Sequence, residues 1–233
     1  DGFPVFGDHG RVALEMDTSL PLEAAEMAAV RDDFAATTLA PCWSYLRTPD
    51  LGRYSLEERP GHLRLRGAAP GLDDVASPAW VGRRQAHFSV RVAARLEFWP
   101  QADGEEAGLV VRMNERHHYE IFVTRRGGQP AVVLRRRIGS LQAEVASRPL
   151  SASEASGLVL AVEADRDRYR FSHGPAEDAL RPLGEGETRY LSTEVAGGFT
   201  GVFFAMYATG NGAPCQRPAD FDWFEYAPAG SGG

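Results

Sequence analysis

An all-β sandwich is the fold the sequence predicts, and three observations predict it. Several runs alternate polar and apolar residues with period two, the mark of a strand with one wet face. Turn-forming residues separate these runs at intervals of roughly 8–15 residues. After residue 31 no stretch carries a convincing long helical pattern.

The elements follow in order. Residues 1–30 stand apart: Asp1 to Gly10 is rich in Gly and Asp, and Leu22 to Val30 has weak helical spacing. This stretch reads as a linker that wraps a neighbouring surface, residues 31–228 as the sandwich and residues 229–233 as a tail. The run His62 to Arg66 alternates, and so does Phe88 to Leu96, where Phe88, Val90, Val92, Ala94 and Leu96 share a face. Arg83-Arg84-Gln85 opens a strand after Trp80-Val81-Gly82. Gly108 to Met113 and Tyr119 to Thr124 form a pair joined through Asn114-Glu115-Arg116. Gly127-Gly128 turns the chain into Val132-Val133-Leu134. Ser151 to Ser156 makes one short helical turn. Leu158 to Glu163 pairs with Tyr169 to Ser172, Gly201 to Tyr207 is a strongly apolar strand, and Phe221 to Tyr226 closes the domain. Roughly ten to twelve strands in two antiparallel sheets, a sandwich or jelly roll, account for the pattern.

Composition narrows the function. The chain has 233 residues, 43% of them hydrophobic, and a formal net charge of −7. That charge argues against a nucleic-acid binder and against a basic protein of the membrane surface, both of which would lean the other way. All 25 basic residues are arginines. There is no apolar run long enough to span a bilayer and no signal-peptide pattern, which favours the cytoplasm, with secretion following if a leader lies upstream. Cys42 and Cys215 read as two unpaired thiols.

Several constellations can be weighed for chemistry. Asp220, Asp222 and Glu225 on the last strand loosely echo the acidic strand motif of laminarinase-like jelly-roll hydrolases. Glu225 needs a bulge to reach the face of the other two, and the plainer reading is a structural strand with solvated acids. Asp32 and Asp33 could meet Asp222 and offer hard oxygen ligands to Ca²⁺, against the plainer reading of surface acids; no other cofactor is called for. Trp80 with Arg83 and Gln85 would suit a sugar face if exposed, whereas Arg135-Arg136-Arg137 reads as a solvated strand edge. His117-His118 cannot chelate one ion, because neighbours on a strand point to opposite faces. In Gly197-Gly198-Phe199-Thr200-Gly201 the aromatic is either tucked into the core or offered to a partner.

Gly82-Arg83-Arg84-Gln85, Glu106-Ala107-Gly108-Leu109, Asn114-Glu115 leading to His118-Tyr119, Leu191-Ser192-Thr193-Glu194, Phe199-Thr200-Gly201, Tyr207-Ala208-Thr209-Gly210 and Ala219 to Phe224 occur in that order. Together they resemble the C-terminal concanavalin A-like β-sandwich of family 43 glycoside hydrolases, the β-xylosidase and α-L-arabinofuranosidase group, over about residues 31–227. The resemblance implies an accessory role. A five-bladed catalytic propeller would be the partner, a xylo- or arabino-oligosaccharide the substrate, and Phe199 the loop aromatic lent to the rim of the substrate pocket. A free-standing carbohydrate-binding module and a laminarinase-like hydrolase are the alternatives.

Overall fold

Period-two patterning places one face of each strand inward, and two stacked sheets result. The computed structural model describes residues 29–228 together with Gly7 and Arg11. The expected linker over residues 1–30 and the tail over residues 229–233 therefore lie almost wholly outside the described residues. The first strands are β1 (Val30–Asp32), β2 (Ser44–Tyr45), β3 (Tyr54–Ser55), β4 (Leu63–Leu65) and β5 (Ala79–Arg84). Longer ones follow: β6 (Val90–Glu97), β7 (Glu106–Asn114), β8 (His117–Arg126), β9 (Gln129–Ile138) and β10 (Leu141–Pro149). After the short helix α1 (Ala152–Ala155) come β11 (Leu158–Ala164), β12 (Arg168–Gly174) and β13 (Arg181–Glu187). Helix α2 (Thr193–Ala196), β14 (Phe203–Thr209) and β15 (Ala219–Pro228) complete the described chain.

One sheet runs β13-β12-β11-β6-β15-β4-β3, with β1 also on β15; the other runs β10-β9-β8-β7-β14-β5-β2. All strand pairs are antiparallel. The core lies between the sheets, where Val92, Ala94 and Leu96 of β6 meet Leu109, Ile121, Leu134 and Met206. Gly127 and Gly128, with φ of 57° and 84°, form the two-residue turn between β8 and β9, whose positive dihedrals match the twist of a hairpin.

Alternation fails where β7, β8 and β14 are buried on both faces, and it fails differently at two edges. Along β10 the side chains are exposed on both faces, as befits an edge. In β13, also an edge, Cβ atoms at Gly184 and Gly186 would stand 2.7 Å from Leu134 Cδ2 and 2.5 Å from Tyr119 Cε2. Those glycines let the edge close onto the opposite sheet. β5 also differs from expectation: it ends at Arg84 instead of opening at Arg83.

The outer face of the seven-stranded sheet is not a solvated surface. The β4–β5 connection lies across it, with Leu72 packed on Trp80, Val110, Phe122, Val133 and Tyr207. Backbone bonds secure this cover: Gly210 N–H donates to Ala68 O at 2.8 Å and Gly212 N–H to Ala69 O at 2.7 Å. Beside it, Arg135 is a correction to the solvated-edge reading, since β9 lies between β8 and β10 and its guanidinium is claimed by two acids. It donates to Glu106 at 2.9 and 2.6 Å and to Glu120 at 3.0 and 2.8 Å. Tyr207 Oη–H adds a bond to Glu120 at 2.7 Å. His118, wholly buried, bridges Asp73 of the covering loop and Glu120 of the sheet at 3.3 Å each. Burial alone would raise the Glu120 carboxyl, but Arg135 and His118 hold it well below the ordinary carboxylate range.

Two outcomes follow from this network. Arg135→Ala strands two buried carboxylates and should cost about 3–5 kcal/mol, read by chemical denaturation. Burial opposes the charge on His118, yet Asp73 and Glu120 outweigh it and hold the imidazole above its ordinary value of 6.5. A raised folded value means that the stabilisation is complete below 6.5 and is lost as pH rises through the folded value. Thermal melts over that window should fall for the native chain and stay flatter for His118→Gln.

Candidate functional site

Three glycines shape the most exposed aromatic in the described chain. Helix α2 ends where Gly197 N–H donates to Thr193 O at 2.9 Å, with Gly197 at φ 72°. Gly198 and Gly201 have φ of 79° and 72°, conformations that side-chain-bearing residues rarely adopt. Asn114, at the end of β7, donates from Nδ2 to Ala196 O at 3.0 Å and pins the helix to the sheet. On the far side Gln85 N–H bonds Val202 O at 2.9 Å, so both feet of the loop are fixed. Phe199 projects from between them, 100% exposed.

Phe88 at 70% exposure and Val195 at 47% add apolar surface near the loop. A cavity of about 560 Å³ opens here, lined by Gln85, His87, Phe88, Arg166, Tyr169 and Ser192 among others. Its floor is set by internal bonds: Tyr169 Oη–H donates to Gln85 Oε1 at 2.8 Å, and Tyr226 Oη accepts from Ala86 N–H at 2.9 Å. Arg166 lies 5.4 Å from the Phe88 ring centre. The two acids at the cavity are not poised for proton donation. Burial would raise Asp165, but Arg170 and backbone amides hold it low; hydrogen bonding likewise lowers exposed Glu194. A general acid in glycoside hydrolysis needs the opposite shift. The surface is suited to packing and exclusion of water.

The other sequence candidates fall elsewhere. Trp80 is 2% exposed, so the anticipated exposed platform is absent. Arg83 points to the inner face, over the Tyr226 ring at 4.2 Å, and Gln85 is spent on Tyr169 and on His87 O. The bulge that Glu225 needed does exist, with the register of β15 on β6 shifting at Asp222. It brings no acid–base pair, because each acid faces an arginine. Asp220 binds Arg64 at 2.7 Å and Arg59 at 2.9 Å, Glu225 binds Arg91 at 3.0 Å, and Asp222 lies 3.6 Å from Arg95. Burial would raise Asp220, yet these arginines leave it below its ordinary value. Asp32, Asp33 and Asp222 do not fit one calcium ion. Asp32 Oδ2 accepts from Trp43 Nε1–H at 2.7 Å and Oδ1 from Phe34 N–H at 3.0 Å. Among the described residues no three His, Cys, Asp or Glu side chains gather around one ion position. Cys42 and Cys215 are free thiols. Phe88 and Asn114 were missed as site residues: alternation assigned Phe88 to a buried face, and Asn114 read only as a turn residue.

Known proteins share this fold. Residues 31–227 match a family described as the β-xylosidase C-terminal concanavalin A-like domain. A non-reducing end α-L-arabinofuranosidase of Bacteroides ovatus is 39% identical over 97% of this chain and 42% of its own length. A putative β-xylosidase of Escherichia coli is 31% identical over 98% of the chain and 44% of its own. Among solved structures, the Bacteroides ovatus xyloglucan GH43B superposes with a TM-score of 0.82 at 37% identity, covering 94% of this chain and 42% of that one. A xylan β-1,4-xylosidase from Bacillus halodurans gives 0.80 at 31% identity, with 90% and 41% covered. The chain thus spans less than half the length of these relatives.

Because Phe199 touches nothing within the sandwich, Phe199→Ala should leave stability within about 0.5 kcal/mol of the native chain. Asn114→Ala removes a bond that holds the loop's helix and should cost about 1 kcal/mol. Paired denaturation curves check both, and a large loss in Phe199→Ala would contradict the loop geometry.

Proposed function

The chain belongs to the family of β-xylosidase C-terminal concanavalin A-like domains, and on that premise we propose that it is the accessory sandwich of a β-xylosidase-like glycoside hydrolase acting in hemicellulose breakdown. It packs on a catalytic domain, a five-bladed propeller, and lends Phe199 to the rim of the pocket that takes a xylo- or arabino-oligosaccharide. The observation that carries this reading is a fully exposed Phe199 on a loop fixed at both feet. A fully solvated aromatic on a loop anchored at both ends has no packing role inside its own domain and gains about 1.5–3 kcal/mol when another surface covers it. Phe88, Val195 and the neighbouring cavity extend the same face for docking.

Division of labour follows from the chemistry. The catalytic carboxylates belong to the other domain, since the acids at this end are held ionised. Phe199 acts by displacing water beside the bound sugar, which strengthens every polar contact in the pocket. The burial of Trp80 weighs against a free-standing binding module built on that residue. The arginine-held acids of β15 weigh against a laminarinase-like reaction.

In the full-length protein, Phe199→Ala should lower kcat/KM on an aryl-β-xyloside by about tenfold to a hundredfold, the kinetic equivalent of losing one buried aromatic contact. An unchanged kcat/KM would remove Phe199 from the pocket. The 233-residue chain alone should show no turnover.

A further inference from the structure

The end of the sandwich opposite Phe199 carries a second cavity, and its construction differs from its surroundings. β6 separates the two ends: Phe88 precedes it and Trp99 follows it, so its eight residues set them about 25 Å apart. Register agrees, because Leu158 pairs with Leu96 while Ala164 pairs with Val90. That puts Ser156 at the Trp99 end and Asp165 at the Phe88 end. The cavity measures about 430 Å³ and is lined by Trp99, Gln101, Ser156, Arg217 and Glu97 among others.

We propose that this cavity is a second carbohydrate subsite, which takes a pyranose unit of a glycan chain against the face of Trp99.

Three observations carry the assignment. Trp99 is 43% exposed, whereas Trp43, Trp80 and Trp223 are 9%, 2% and 7% exposed. An indole face offers the apolar platform that the C–H face of a sugar ring needs. Around it stand the Arg217 guanidinium as donor and the oxygens of Gln101, Ser156 and Glu97 as acceptors for ring hydroxyls. Gln101 Nε2 is held on Trp99 O at 3.2 Å, Ser156 Oγ–H on Ser153 O at 2.8 Å and Glu97 on Arg59, which fixes those oxygens in place. The walls are built in advance by one buried acid. Glu105, 2% exposed, accepts from Gln101 N–H at 2.6 Å, from Ala102 N–H at 3.3 Å and from Gln216 N–H at 2.6 Å. It therefore ties the Trp99 loop to the Arg217 loop across the mouth. Below them Arg59 is locked on Glu97 at 2.7 Å and on Asp220 at 2.9 Å. A preformed site of this kind loses little ordering entropy on binding. The distance from Phe199 lets the two sites hold different parts of one polysaccharide.

The test is a titration of the 233-residue chain with xylohexaose, read by isothermal titration calorimetry, a readout that does not depend on Trp99 itself. A saturable change is expected, weakened about tenfold or more in Trp99→Ala and retained in Phe199→Ala. Trp99→Tyr, which keeps an aromatic face, should recover part of the affinity. A thermal melt of Trp99→Ala unchanged from the native chain shows that the fold is intact; if the melt falls, Arg217→Ala supplies the same comparison. A flat titration, or equal affinity in Trp99→Ala, overturns the proposal, and neither result bears on the activity test of Phe199.

Discussion

Apolar side chains from two antiparallel sheets meet along one seam, and their packing decides where every loop leaves the sandwich. Val92, Leu96, Leu109, Ile121 and Met206 are all buried to within 1%. A one-residue slip in any of these strands would turn its inner set to water, so register is strongly specified. Both cavities depend on that register. The Phe199 loop springs from the start of β14, and the Trp99 loop from the end of β6. Neither could move by a residue without its strand exchanging faces.

The seam is only half of the packing. The seven-stranded sheet buries its outer face as well, under the β4–β5 connection. An arginine shared by Glu106 and Glu120 there is hydrogen-bonded on both edges of its planar fork, a geometry lysine could not reproduce. In a chain whose basic residues are all arginine, such forks recur: Arg64 grips Asp220 with two nitrogens in the same manner.

Much of this was legible in the sequence, for a definite reason. Strands such as β6 and β15 have one wet face and write that fact as alternation. β10 and β13 do not, because an edge is exposed on both sides or shortened to glycine. Trp80 and Arg135 misled for another reason. Alternation tells which face of a sheet a residue occupies; it cannot tell that the β4–β5 connection will fold back over that face. Gly197 and Gly201 did mark Phe199 as unusual, while the choice between core and surface required the structure. Trp99 passed unnoticed beside buried Phe98, since a strand end with two aromatics looks like core.

The glycine-framed loop has one more consequence. Residue 199 has no neighbour within its own domain, so evolution can rewrite it without disturbing the fold that presents it. Most positions able to retune an enzyme lie in a crowded pocket, where each change also threatens stability. Here the trade-off is relaxed. Under the proposed role of Phe199, variation at one uncrowded position, carried on a scaffold remote from the reacting groups, would be a route by which related enzymes diverge in the substrates they accept.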